Sequence, residues 1–123
     1  SGLAYVACLQ NNLSEACRHF GEVLAYALRL KDYVFLVATL PGAALFLARL
    51  DRAEQAVAMW ARAHHEPFIA NSKWFEDLVG RHISAAAERL PAADAVQART
   101  QGEKRDLWET AEELRKELKE LAL

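Results

Sequence analysis

Leu40-Pro41-Gly42-Ala43-Ala44-Leu45-Phe46-Leu47-Ala48-Arg49-Leu50-Asp51-Arg52-Ala53-Glu54-Gln55-Ala56-Val57-Ala58-Met59-Trp60-Ala61-Arg62-Ala63 reads as two helices joined by the short connector Leu50-Asp51-Arg52. The first is apolar on nearly every side, as a helix with neighbours all round must be. The second repeats its apolar positions (Ala53, Ala56, Val57, Trp60, Ala63) at the spacing of one helical face. Such a hairpin cannot bury its apolar surface alone and calls for another stacked on it. The expected fold class is all-α: a superhelix of helical hairpins closed by a C-terminal capping helix.

Composition agrees. Apolar residues make up 53% of 123, enough for a packed core, and 5 Gly and 3 Pro among abundant Ala, Leu, Glu and Arg favour helix. No stretch alternates with period two for long; the β-rich patch at 33–37 runs into the Ala/Leu segment. With a net charge of −2 and both signs interspersed, there is no broad positive field for nucleic acid and no basic amphipathic face for a membrane. The longest apolar run, 33–48, is interrupted by Thr39, Pro41 and Gly42 and falls short of a spanning helix. The start shows no signal-peptide pattern, Ser1-Gly2 reads as the remnant of a cleaved tag, and two cysteines do not make a disulfide framework. A cytoplasmic setting is expected.

Taken in order, residues 2–10 form a short apolar helix ended by Asn11-Asn12, with Asn12 and Glu15 as a capping box for a helix over 13–31. That helix collects Ala16, Cys17, Phe20, Val23, Leu24, Ala27 and Leu28 on one side. Asp32 caps a helix over 33–50, which Pro41 either kinks near 37–40 or restarts. Asp51 caps a helix over 52–65, with Glu54 as its acid. The two hairpins, 2–31 and 33–65, superpose at an offset of 56 − 16 = 40, pairing Asn11 with Asp51, Ala16 with Ala56, Cys17 with Val57 and Phe20 with Trp60. Repetition at that period marks a solenoid. C-terminal helices occupy 72–122: Ser72 caps a helix over 73–90, Pro91 opens a short one that Gly102 terminates, and Asp106 caps a last helix carrying a leucine seam. The whole of 1–123 reads as one repeat domain.

The small and aromatic residues Ala4, Ala7, Ala16, Phe20, Ala44, Leu47, Ala56, Trp60 and Ala63 resemble the repeating positions of tetratricopeptide-type repeats. Residues 40–56, with Asp32 before them, are similar to the longer repeats near the C-terminus of large bacterial signalling ATPases, including LuxR-type and related STAND transcriptional regulators. Residues 98–107 and the leucine-spaced helix after them resemble the segment that ends many of those proteins. The resemblance implies a non-enzymatic sensor or protein-interaction arm of a longer polypeptide. Its partner would be a protein or peptide, or the upstream repeats and domains of the same chain. Three features depart from the pattern: Asp51 stands where such repeats usually carry Gly, Pro41 interrupts the first helix of its repeat, and 71–83 does not follow the repeat.

The chemistry-bearing residues suggest no catalytic, cofactor or metal site. His64 and His65 are adjacent, so they point about 100° apart on a helix and cannot readily share a metal; a helix end that favours His is the simpler reading. His82 lies on an apolar face and could serve a small helical enzyme only with an acid nearby; packing is the simpler reading. His19 is expected at an inter-helix edge. Cys8 and Cys17 behave as small core residues, with redox sensing as the alternative. Trp60, Trp74, Phe75 and Trp108 either pack the core or line a pocket, and close helix crossings explain Gly42 and Gly80. In the charged run 103–120, Glu112 is expected to pair with Lys116, while Glu113 and Glu117 face each other at a cost of roughly a few tenths of a kcal/mol. Polar residues on the first helix of each hairpin would contact a partner. Alternatively, residues 3–9 form a docking or self-association surface, which would pair two copies as a homodimer if the segment lost its upstream neighbour.

Overall fold

The structure, a computed structural model, describes residues 2–121 and 123. It is 84% helix, and the described residues contain no strand. In chain order the elements are α1 (Gly2–Leu9), α2 (Leu13–Leu30), α3 (Tyr33–Arg49), α4 (Ala53–His64), the single turn α5 (Pro67–Ala70), α6 (Lys73–Phe75), a π-helical turn (Glu76–Gly80), α7 (Arg81–Glu88), α8 (Ala92–Lys104) and α9 (Leu107–Glu120). Ser1 and Ala122, the outer ends of the expected tag remnant and last helix, lie outside the described residues.

Successive helices α1 to α4 pack against one another, and α1 also touches α3. Their three connectors share one geometry. Asn11, Lys31 and Asp51 all have φ near +60° (58°, 53° and 62°), and they recur every 20 residues (31 − 11, 51 − 31). The N–H of the following residue reaches back to the carbonyl five residues earlier: Asn12 to Ala7, Asp32 to Ala27 and Arg52 to Leu47, at 2.8–3.0 Å. The positive-φ residue itself bonds Cys8, Leu28 or Ala48. These are Schellman caps, which satisfy the orphan carbonyls of a helix end and turn the chain for the next helix two residues on.

This corrects two expected caps. Asp51 does not cap α4; its backbone closes α3, and the N-cap position falls on Arg52, whose side chain makes no capping bond. Asn12 caps α2 by accepting from Glu15 N–H at 3.4 Å, but the box stays open because Asn12 N–H is committed to Ala7 and the Glu15 carboxylate to Arg18. Asp32, Ser72 and Asp106 cap α3, α6 and α9 through their side chains.

Helix α3 is the centre of the core, buried almost continuously from Leu36 to Leu47 and packed by α2, α4, α7 and the π turn. Pro41 lies inside it and does not restart it. The buried threonine hydroxyls of the core, Thr39 and Thr110, each bond the carbonyl four residues back at 2.7 Å, which satisfies them within their own helices.

The C-terminal half is less regular. Glu66-Pro67 ends α4, and α5 fills the gap before Ser72. The helix expected over 73–90 passes through the π turn, where Arg81 N–H bonds Glu76 five residues back, and stops at Glu88. Gly102 does not terminate α8; it lies within it, where a Cβ would sit 2.2 Å from the Ala58 carbonyl oxygen on α4. The crossing of α4 and α8 therefore requires glycine. Around Gly80 the nearest atoms that a Cβ would meet are those of the flexible Glu76 carboxylate of its own turn rather than the backbone of a crossing helix. Helix α9 folds back onto α2, where the Cys17 thiol donates to the Leu118 carbonyl at 3.4 Å across 101 residues of chain. A strictly linear solenoid confines each repeat to its neighbours, so this return contact closes the stack.

Candidate functional site

The equivalence of Phe20 and Trp60 does not extend to their surroundings. Phe20 is fully buried between the rings of Tyr5 and Phe46, whereas Trp60 is half-buried at the rim, tilted against His64 at 5.3 Å. The four aromatics considered together also separate: Phe75 is buried, Trp60 and Trp108 are half-buried, and Trp74 is exposed.

Six rings instead form a connected path from surface to core. Phe68 meets Phe75 at 6.1 Å, Phe75 meets Trp74 at 4.9 Å, and Trp74 meets Tyr5 at 5.7 Å. Tyr5 then meets Phe20 at 6.1 Å, and Phe20 meets Phe46 at 6.0 Å. All are edge-on or tilted, the arrangements aromatic pairs favour. The outer end is open, with Trp74 58% and Phe68 52% exposed. Local chain chemistry explains the placement. Ser72 starts the helix, so the adjacent Trp74 and Phe75 must diverge by about 100°, one inward and one outward. The π turn that follows is a feature often found near functional sites.

At their exposed positions the first helices of the hairpins carry chiefly apolar residues, with Arg49 a charged exception. On α1, Leu3, Val6 and Leu9 are 67%, 49% and 45% exposed; on α3 the exposed positions are Tyr33, Val34, Phe35 and Arg49. Polar contacts gather elsewhere. Tyr33 Oη donates to the Glu66 carboxylate, which also takes the Arg62 guanidinium at 3.1 Å, and these partners hold Glu66 below the usual carboxylate range. Between α4 and α9, Arg52 and Gln55 both donate to Glu117 at 2.7 Å. Glu112 pairs with Arg115 rather than with the expected Lys116, while Glu113 and Glu117 each take a cation of their own, Arg105 and Arg52.

The histidines are scattered. His82 is half-buried, and burial, with Arg81 and Arg49 nearby, holds it below its ordinary value. His19 stands half-buried 3.6 Å from the Glu15 carboxylate. His64 and His65 line an open groove of about 360 Å³ with Trp60, Arg99 and Glu103. Among the described residues, no three His, Cys, Asp or Glu side chains come together as a metal site would require. Cys8 and Cys17 are free and buried; burial pushes the Cys8 thiol up to about 11 and raises that of Cys17. No described helix is long and apolar enough to cross a membrane. In comparisons with protein-family models, curated proteins and solved structures, the chain found no significant match.

Sequence reasoning missed Tyr5 and left Trp74 open between core packing and a pocket wall. The available signals were a lone hydroxyl in the otherwise apolar 3–9 helix and two adjacent aromatics that cannot share one direction.

Proposed function

We infer that this chain is a non-enzymatic recognition arm of tetratricopeptide-like hairpins, which binds a protein segment on the open end of its aromatic path. The observation that supports it is the continuity of Phe68, Phe75, Trp74 and Tyr5 with the buried Phe20 and Phe46. Rings held by the core lose little freedom on binding, and well-anchored Trp and Tyr side chains dominate protein interfaces. The wider setting we assign is the C-terminal repeat arm of a cytoplasmic bacterial signalling ATPase or transcriptional regulator. Supporting that assignment, Asp51 stands where such repeats carry Gly and adopts the backbone conformation that favours Gly. Panning a displayed peptide library against the protein tests the recognition reading. Selected peptides should bind at least about tenfold more weakly to Trp74→Ala, a loss in the range of an interface anchor. Failure to select any peptide, or binding indifferent to both Trp74→Ala and Phe68→Ala, would refute it.

The outward apolar face of α1 favours a second reading, self-association through residues 3–9. Mass in solution distinguishes it: Leu3→Glu or Val6→Glu should convert a dimer to a monomer, and a dimer that survives both substitutions excludes that face.

A further inference from the structure

The most buried helix of the molecule places its two poorest helix formers side by side, Pro41 and Gly42. Pro41 has no N–H to offer the carbonyl of Val37. The next rung of α3, Gly42 N–H to Ala38 C=O, is bridged by a side chain from another helix. The Tyr5 hydroxyl accepts from Gly42 N–H at 2.9 Å and donates to the Ala38 carbonyl at 2.8 Å. Glycine is required at this point, since a Cβ on residue 42 would lie 2.7 Å from the rings of both Tyr5 and Phe20. Gly42 and the Tyr5 hydroxyl thus have a common explanation, since the ring occupies the space a Cβ at 42 would fill while its hydroxyl spans two backbone groups of α3, and such departures from helix chemistry gather at functional positions.

We propose that Tyr5 is a removable rung of α3, so that the seating of α1 and the backbone state of α3 at Ala38–Gly42 are a single equilibrium. With α1 seated, the hydroxyl spans the two backbone groups. With α1 lifted, the buried Gly42 N–H has lost its partner, and α3 must close on itself by bonding Gly42 directly to Ala38, because an unpaired buried amide is costly. The strap is suited to moving: α1 is only eight residues long and keeps Leu3 and Val6 on its outer side. The element it controls touches α2, α4, α7 and the π turn, so a contact that covers or pulls α1 is transmitted to the centre of the stack.

Chemical-exchange NMR on the full chain tests this, because Gly42 N–H is bonded in both states and only its partner changes. In the wild-type protein the Gly42 amide and the Ala38 carbonyl should interconvert between two shifts at the rate shown by Cys8 and Leu9 on α1, within about threefold, while Leu45 and Phe46 further along α3 should not. Tyr5→Phe keeps the ring and removes both bonds; there the interconversion at Gly42 and Ala38 should disappear. A wild-type Gly42 that shows no interconversion, or one at a rate unrelated to that of Cys8 and Leu9, overturns the proposal. So does a Tyr5→Phe protein whose Ala38 carbonyl and Gly42 amide resonances are unchanged. Should Tyr5→Phe fail to fold, the wild-type comparison decides alone.

Discussion

Residues 13–64 and residues 65–120 are made of the same helix formers, yet they keep time differently. Helices start at Leu13, Tyr33 and Ala53, and again at Lys73, so the 20-residue beat of helix starts (33 − 13, 53 − 33, 73 − 53) reaches the second half. The turn that generates the beat does not. Asn71 stands 20 residues after Asp51, but its φ is −91° where Asn11, Lys31 and Asp51 are positive. Pro67 is the physical cause: it opens the new turn α5, and α5 takes up the chain that a longer α4 would have used. A repeating register is therefore carried by backbone caps, and one proline at the wrong phase ends it even where the residue best suited to the turn is present.

The largest effect expected from this difference lies at the aromatic pair. Phe20→Ala should cost about 3–5 kcal/mol, as for a fully buried aromatic, while Trp60→Ala should cost about half of that or less, since Trp60 keeps part of its surface in water. Urea unfolding of the two variants measures it; equal losses would restore the equivalence of the two hairpins. Next in size is the crossing of α4 and α8. Gly102→Ala should destabilise by about 2 kcal/mol, because backbone rather than a flexible side chain meets the new methyl, whereas at Gly80→Ala the methyl first meets the flexible Glu76 carboxylate, which can move aside, and the variant should gain from helix propensity.

Acid acts on the second region at two points, one of which ties it back to the first. His82, in the second half, is held below its ordinary value of 6.5 chiefly by burial, so the native state prefers it neutral. As pH falls through 6.5 the unfolded chain takes up that proton first, and stability is lost until the lowered native value is reached. Glu66, which ties α4 to Tyr33, is also depressed, but from 4.5, so its contribution is present above 4.5 and is lost as pH falls below it. Thermal unfolding should therefore show two acid steps, and His82→Gln should remove only the upper one.

How much of this could be read from the chain depends on where each constraint is stored. The all-α class, the caps Asn12, Asp32, Ser72 and Asp106 and the offset that relates Ala16 to Ala56 are written in local residue types, and each is found in the structure. The Schellman turns escaped because Lys31 and Asp51 are not glycine; their conformation follows from the carbonyls they must satisfy, not from their own preference. The return of α9 to Cys17 and the insertion of Tyr5 beside Pro41 are tertiary events between distant segments, and no periodicity announces them. The candidate site is the least legible: whether Trp74 packs the core or turns outward depends on a helix start and a π turn that period alone does not specify.

The smallest effect gives the sharpest comparison, because one substitution can be made at four positions of the same register. A non-glycine residue held at positive φ costs about 1–2 kcal/mol. Replacing it by glycine recovers that cost but adds about 0.4–1 kcal/mol of disorder to the unfolded chain. Lys31→Gly and Asp51→Gly should thus each stabilise by about 0.5–1 kcal/mol, whereas Asn11→Gly should be nearly neutral because Asn tolerates that conformation. At Asn71, where φ is negative, only the unfolded-state term remains, and glycine should destabilise by about 0.5 kcal/mol. The sign should therefore reverse between Asp51 and Asn71 in denaturant titrations of the four variants. A stabilising Asn71→Gly would mean that the fourth turn closes like the other three, and that α5 is no barrier to the register running through the whole chain.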